Sequence, residues 1–408
     1  TFTTDDTQAY WAHGYDQWGN YHSLQSVTWT GTGDLLGDIT GGTSTQTLAP
    51  STVGSGTVNA DHASATDDAT GTITINPGAA NYCTADWSTQ TSPVTAGVTF
   101  GLTVTAYDAD NNVATGYTGA KALGYTWNNA STSPAPASTP PLKPVDGNET
   151  FASGVYTSVT TDFALYNDVD TLAALAVTCE GITGDTTNTT LAVDPATANK
   201  YRITATDTGG VSQTAGVGFD VTVTAYDAFD NIDTNYAGSK AVTFQWNSTT
   251  ATDVLTQAAT FPAGPFTFTA GVHATTGDLF TLYNEWDGSS PELATTAPFA
   301  TTLGGFNATH NSTVGFIKVF DNNTADQHSN TEYTTGTLTT DQTDDFWAHG
   351  YDQWGNYHSL QSVTWTGTSD LTGDTSGTAN TTTLAPSTVG SGTVNADHAS
   401  ATDDATGT

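Results

Sequence analysis

The chain has 408 residues, 36% hydrophobic and 10% aromatic, enough for several packed cores and too apolar for a disordered tail. Its 41 acidic residues against 6 basic ones give a formal net charge of −35, a balance that repels nucleic acid and anionic membranes. No run of 18 apolar residues occurs, so no segment reads as a membrane-spanning helix or predicts membrane insertion.

Charged residues are only 12% of the chain, and Thr, Ser, Asn and Gly carry the polar role, a composition that leans towards strands and turns. Met is absent, position 1 included, and no signal-peptide pattern is visible, so the numbering is expected to start inside a longer or processed chain. At roughly 100 to 150 residues per domain, about four domains are expected.

The first recognisable stretch is WAHGYDQWGNYHSLQSVTW, Trp11–Trp29. It reads as strand, turn and strand, because Asp16 and Asn20 favour a turn by bonding nearby backbone groups. With Tyr10, Ala12 and Gly14 turned inwards, Trp11, His13 and Tyr15 face outwards, and such an aromatic row predicts an interaction surface. The opposite register would put Trp11 in the core. A first sandwich is expected over 1–76, lacking its N-terminal part. It closes on ATGTITI before the Asn76-Pro77 step.

The second domain, 77–194, contains TAGVTFGLTVTAYDADNN (95–112) and both cysteines, Cys83 and Cys179, which predict one disulfide and an oxidising compartment. The third, 195–303, contains TAGVGFDVTVTAYDAFDN (214–231), where Val221, Val223 and Ala225 alternate with Thr222, Thr224 and Tyr226. The fourth, 304–408, is expected to be partial, because it repeats the first at an offset of 336. Trp11–Thr32 is identical to Trp347–Thr368, and Thr47–Thr72 to Thr383–Thr408. The outward row predicted for the first copy therefore predicts Trp347, His349 and Tyr351 outwards in the second. Tyr-Asp-x-x-x-Asn recurs at Tyr15, Tyr107, Tyr226 and Tyr351, and a strand-borne Trp at Trp29, Trp127, Trp246 and Trp365 reads as core.

Units of this size, with period-two strands, frequent turn residues and no helical periodicity, read as β-sandwiches. The sequences FDVTVTAYDAFDN, FTAGVHATT and DDATGTITI, recurring in register, resemble the immunoglobulin-like and filamin-like tandem repeats of prokaryotic surface proteins. That resemblance implies an all-β fold of tandem immunoglobulin-like β-sandwich domains in an elongated array, and a non-enzymatic adhesin, stalk or fibre role.

Candidate chemistry is sparse. Asp108, Asp110 and Asn112 in one turn, and Asp227 and Asp230 in another, offer hard oxygen ligands for Ca²⁺, the one cofactor suggested, although the loops lack the Gly and Glu of an EF-hand. His13, His22 and His62, repeated at His349, His358 and His398, could form a transition-metal site but read better as part of a polar aromatic surface. No nucleophile elbow, phosphate loop or His-Glu-x-x-His motif occurs. Asn129, Asn148, Asn188, Asn247, Asn307, Asn311, Asn322 and Asn380 begin glycosylation sequons, at no more than the frequency composition alone gives. The expected function is a structural component of an extracellular filament or cell-surface fibre that contacts itself. The alternative is an adhesin or surface-layer stalk presenting a distal domain that binds glycans or other cell surfaces.

Overall fold

A computed structural model describes the whole chain except 88–89, 187–189, 208, 248–254, 256, 278, 286–290, 322–331 and 408. The sequons at Asn188 and Asn322 lie outside the described residues. The chain is all-β, a series of immunoglobulin-like sandwiches, and its only helical turns among the described residues are the short 3-10 segments Gly33–Leu35 and Ser369–Leu371. The contacts divide it into one unit of Thr1–Ala196 with Phe229–Asn231, and another of Thr197–Ala228 with Ile232–Thr408. Each unit contains two hydrophobic cores.

In the first unit, one core gathers Val27, Trp29, Leu35, Leu48, Val58, Ile73 and Ile75. Strand Val27–Gly31 sits between Thr40–Thr43 and Val58–Asp61, and its alternation places Val27 and Trp29 inside while Thr28 faces water. The second core runs from Cys83 to Val193. Its strand Gly119–Asn128 pairs with Gly147–Phe151 and with Ala174–Cys179. The disulfide Cys83–Cys179 ties strand Tyr82–Asp86 to strand Ala174–Cys179, with the Cα atoms 6.6 Å apart.

In the second unit, the third core includes Tyr201, Phe219, Val221, Phe244, Phe280 and Phe306. Ala308 belongs to it, and strand Asn307–Thr309 pairs in parallel with Ser212–Thr214, so the sandwich runs past Leu303, where the sequence placed its end. The cause is a last strand that the Asn/Asp-Pro markers of the earlier junctions do not announce. The fourth core contains Ile317, Val319, Phe346, Ala348, Val363, Trp365, Val394 and Ala396.

Trp29 and Trp365 are buried, whereas Trp127 and Trp246 are only partly buried. In the second sandwich Trp87 takes the central place, edge-on to Phe100 and stacked on Trp127 at 5.7 Å.

A common plan positions the candidate site. The second, third and fourth sandwiches open on strands Tyr82–Asp86, Lys200–Ala205 and Phe316–Phe320, each antiparallel to the strand that carries Tyr-Asp. The first sandwich has no such opening strand among its described residues. Its His13–Tyr15 strand pairs there only with Tyr21–Leu24.

Candidate interaction face and junction loops

The recurring Tyr-Asp-x-x-x-Asn segment folds the same way in the first, second and fourth sandwiches. Asp16 Oδ1 accepts the backbone N–H groups of Trp18 and Asn20, each at 2.9 Å. Asp108 Oδ1 accepts those of Asp110 at 3.0 Å and Asn112 at 2.8 Å, and Asp352 Oδ1 those of Trp354 at 2.9 Å and Asn356 at 3.0 Å. A carboxylate closing its own turn holds the following Asn with its side chain projecting from the sandwich end.

That projecting Asn joins one sandwich to the one before it. Within the first unit, Asn112 Nδ2 donates to Ser51 O at 3.1 Å, while Asp108 Oδ2 accepts from Thr4 Oγ1 at 2.7 Å and Gly78 N at 3.0 Å. Within the second unit, Asn356 Nδ2 donates to Tyr283 O at 2.7 Å, Glu285 N donates back to Asn356 Oδ1, and Asn311 N donates to Asp352 Oδ2 at 2.8 Å. Trp354 lies against Tyr283 with ring centroids 4.5 Å apart. Gly216, at φ +75°, makes room for the indole, since a Cβ there would lie 2.0 Å from Trp354 Nε1. Sequence reading took these Asn residues for turn formers, and Asn112 for a Ca²⁺ ligand as well, because a turn signal does not reveal what the projecting amide touches.

Burial pushes the Asp108 carboxyl up, but the hydrogen bonds from Thr4, Asn112 and Gly78 outweigh it and hold it below the usual carboxylate range. A depressed folded pKa contributes stability that is present above the unfolded value and is lost as pH falls through the folded one. Asp108→Asn should therefore cost about 1 to 3 kcal/mol at neutral pH, by leaving buried donors poorly matched. It should also flatten the loss of melting temperature in acid, measured by thermal unfolding of both proteins from pH 7 down to pH 2.

Of the residues considered for Ca²⁺, Asp108 and Asp230 already serve as hydrogen-bond acceptors. Asp108 is fully buried under the donors just named, while Asp110 is exposed. In the first unit Asp230 accepts from Ala137 N at 2.6 Å. In the second unit Asp227 is buried. Among the described residues no group of three or more His, Cys, Asp or Glu side chains converges on a metal-sized site. With the Asp108 carboxylate held by donors from four residues, Thr4, Gly78, Asp110 and Asn112, addition of a chelator should leave the melting curve of the first unit in place, and differential scanning calorimetry with and without EDTA checks it. Of the sequons, Asn129, Asn148, Asn247, Asn307, Asn311 and Asn380 fall on described positions, and Asn311 gives its backbone N–H to the junction.

The aromatic row has two environments. In the first copy Trp11 is 54% and Tyr15 62% exposed, His13 is exposed, and Trp18 stands 77% exposed. In the second copy His349 and Tyr351 are fully buried and Trp347 partly so, which corrects the outward placement read from the sequence. The reason is strand Phe316–Phe320, which lies across the row. Phe316 stacks on Tyr351 at 5.5 Å, and Phe320 meets His349 at 4.5 Å. The equivalent tyrosines of the middle sandwiches are covered likewise, Tyr107 by Tyr82 at 5.4 Å and Tyr226 by the Arg202 guanidinium at 4.3 Å. Among the described residues the histidines do not assemble a metal site. His22 bonds Ser23 and His62 caps the turn at Ser64 and Ala65, as His398 does at Ser400 and Ala401.

No protein-family model matches the chain, and no curated protein matches it. Solved structures that resemble it include the Escherichia coli adhesin FdeC, at 18% identity and a TM-score of 0.31, covering 70% of this chain and 87% of that one. Extracellular domains 3–5 of Drosophila OTK follow at 10% identity and a TM-score of 0.21, covering 76% and 93%. The N-terminal eight immunoglobulin domains of Down Syndrome Cell Adhesion Molecule give 8% identity and a TM-score of 0.17, covering 99% of this chain and 54% of that one, about half its length. Likeness at this level places no function on the chain.

Proposed function

We propose that the chain is a stretch of an extracellular surface protein in which immunoglobulin-like sandwiches are strung in tandem as a structural, non-enzymatic filament or fibre component. The observation that carries the reading is the junction loop. One short motif, repeated along the sequence, spends its Asn amide on the backbone of the preceding sandwich, as Asn112 does on Ser51 and Asn356 on Tyr283. A device that joins neighbours suits a protein whose task is to span distance. The disulfide agrees with an oxidising exterior, and the acidic, weakly charged surface suits a crowded, solvent-exposed assembly.

Immunogold electron microscopy of native cells, using antibody raised against this chain, tests the reading. Label on external fibres of regular axial repeat is the expected result. Label confined to the cell interior would overturn it.

A further inference from the structure

We infer that the aromatic Tyr-Asp turns at Trp354 and Phe229 are plugs for one particular socket, and that the residue at the ring position decides which sandwich end a turn can occupy. Each socket is built from two short segments. Thr95-Ala96-Gly97-Val98 with Leu165-Tyr166-Asn167-Asp168 makes one, and Thr214-Ala215-Gly216-Val217 with Leu282-Tyr283-Asn284-Glu285 makes the other. In both, the glycine N–H ties the segments together, Gly97 N donating to Leu165 O and Gly216 N to Leu282 O at 2.8 Å each.

In the second unit the occupant is the turn of Trp354 and Asn356 already described. In the first unit, to which Phe229–Asn231 belong, it is Phe229 and Asn231. Asn231 Nδ2 donates to Tyr166 O at 2.8 Å and Asp168 N donates to Asn231 Oδ1 at 3.1 Å, the same clamp that Asn356 makes with Tyr283 and Glu285. The ring centroids of Phe229 and Tyr166 lie 4.8 Å apart with an interplanar angle of 53°, against 4.5 Å and 58° for Trp354 and Tyr283. Gly97, at φ +75° like Gly216, leaves the space, since a Cβ there would lie 2.2 Å from the Phe229 ring. Both turns pass through a positive φ just before the Asn, +69° at Asp230 and +95° at Gly355. Two sites far apart in sequence thus share a glycine notch, a tyrosine ring and a two-point amide clamp.

What the socket reads is the shape of a ring. Trp354 Nε1 is buried and without a hydrogen-bond partner among the described residues, and Phe229 fills the other notch with no N–H at all. The turn of Asp108 and Asn112 differs at this one place. It carries Asp110 there, exposed, and its Asn rests on Ser51, outside any Leu-Tyr-Asn segment. In a tyrosine socket a carboxylate would forfeit the ring contact and sit beside an electron-rich ring and an acidic residue, Asp168 or Glu285. Ring-bearing turns are therefore matched to ends that carry the socket, and the acid-bearing turn to an end that does not. One side chain per junction sets which neighbour fits. This selectivity holds independently of the filament reading.

The test is amide exchange of the full chain, read in the shortest fragments that contain Glu285, whose N–H is held by Asn356. Trp354→Phe should leave exchange there within about twofold of the unaltered chain, because the ring is kept. Trp354→Asp should speed it by more than about tenfold, because the ring contact and the clamp behind it are lost together. Gly216→Ala blocks the notch, whereas Gly238→Ala, also at positive φ but with open space where its Cβ would lie, carries the backbone strain alone. Only the first of these should speed exchange at Glu285. Should Trp354→Asp also loosen strand Phe316–Phe320, Trp354→Phe and the two glycine variants decide without it. Equal exchange in the Phe and Asp variants, or equal effects of the two glycine variants, would overturn the socket. The microscopy of the preceding proposal is indifferent to that outcome, so the two readings fail separately.

Discussion

Tyr351→Ala is expected to destabilise the fourth sandwich by about 3 to 5 kcal/mol, the cost of deleting a fully buried aromatic side chain. The same substitution in the same local sequence, Tyr15→Ala, should change the stability of the first sandwich by no more than about 0.5 kcal/mol, because Tyr15 is 62% exposed. The two side chains share neighbours in sequence for many residues on the C-terminal side, so propensity and turn chemistry cancel in the comparison. What remains is strand Phe316–Phe320 lying over one and not the other. Localised amide exchange in each variant, with fragments from the non-identical flanks of the two sandwiches, reads the effects separately. Equal costs at the two sites would mean that the two faces are packed alike.

Opening the Cys83–Cys179 bond should have the next largest effect. The bond spans a sequence separation of 96, and the loop entropy it removes from the unfolded chain corresponds to at most about 4 to 5 kcal/mol. Cys83→Ala with Cys179→Ala should lower the melting transition of the second sandwich by that order and leave the third and fourth unchanged. The described cysteines are both in this bond, so a reductant should reproduce the double variant in this chain and do nothing further. Calorimetry of the two proteins, with and without reductant, checks it. A uniform shift of all transitions would contradict the assignment of the bond to one core.

Much of the fold was legible because local and global signals agree. Alternation in Val221–Tyr226 put Val221, Val223 and Ala225 inside, and the structure buries those three. The first boundary was read from Pro77, which restricts the residue before it. The third junction has no such marker, and Phe306 and Ala308 carry the sandwich further than the pattern implied. Trp87 was missed although its signal was present, since Cys83, Ala85 and Trp87 alternate on the buried face of one run. Trp127, chosen instead, lies near the end of its strand and is covered only in part.

The site was less legible, for a reason that is not local. Twenty-two identical residues form strand, turn and strand in both copies, with the same Asp-closed turn at Asp16 and Asp352. Whether their outer face meets water is decided by a strand outside the repeat of identical sequence. Periodicity therefore predicts which side chains share a face but not what lies over it. The junction role of Asn112 and Asn356 is hidden in the same way, since each bonds a carbonyl far away in sequence.

Identity of sequence also supplies the most direct test. Proteolysis of the deuterium-labelled chain releases the same peptides from Trp11–Thr32 and Trp347–Thr368, so both copies report in one mass envelope. An exposed, one-sided strand edge exchanges faster than a covered one. The account predicts a two-population envelope for fragments spanning His13–Tyr21 and His349–Tyr357, with the slow half belonging to the copy under Phe316–Phe320. A single envelope, fast or slow, would contradict it.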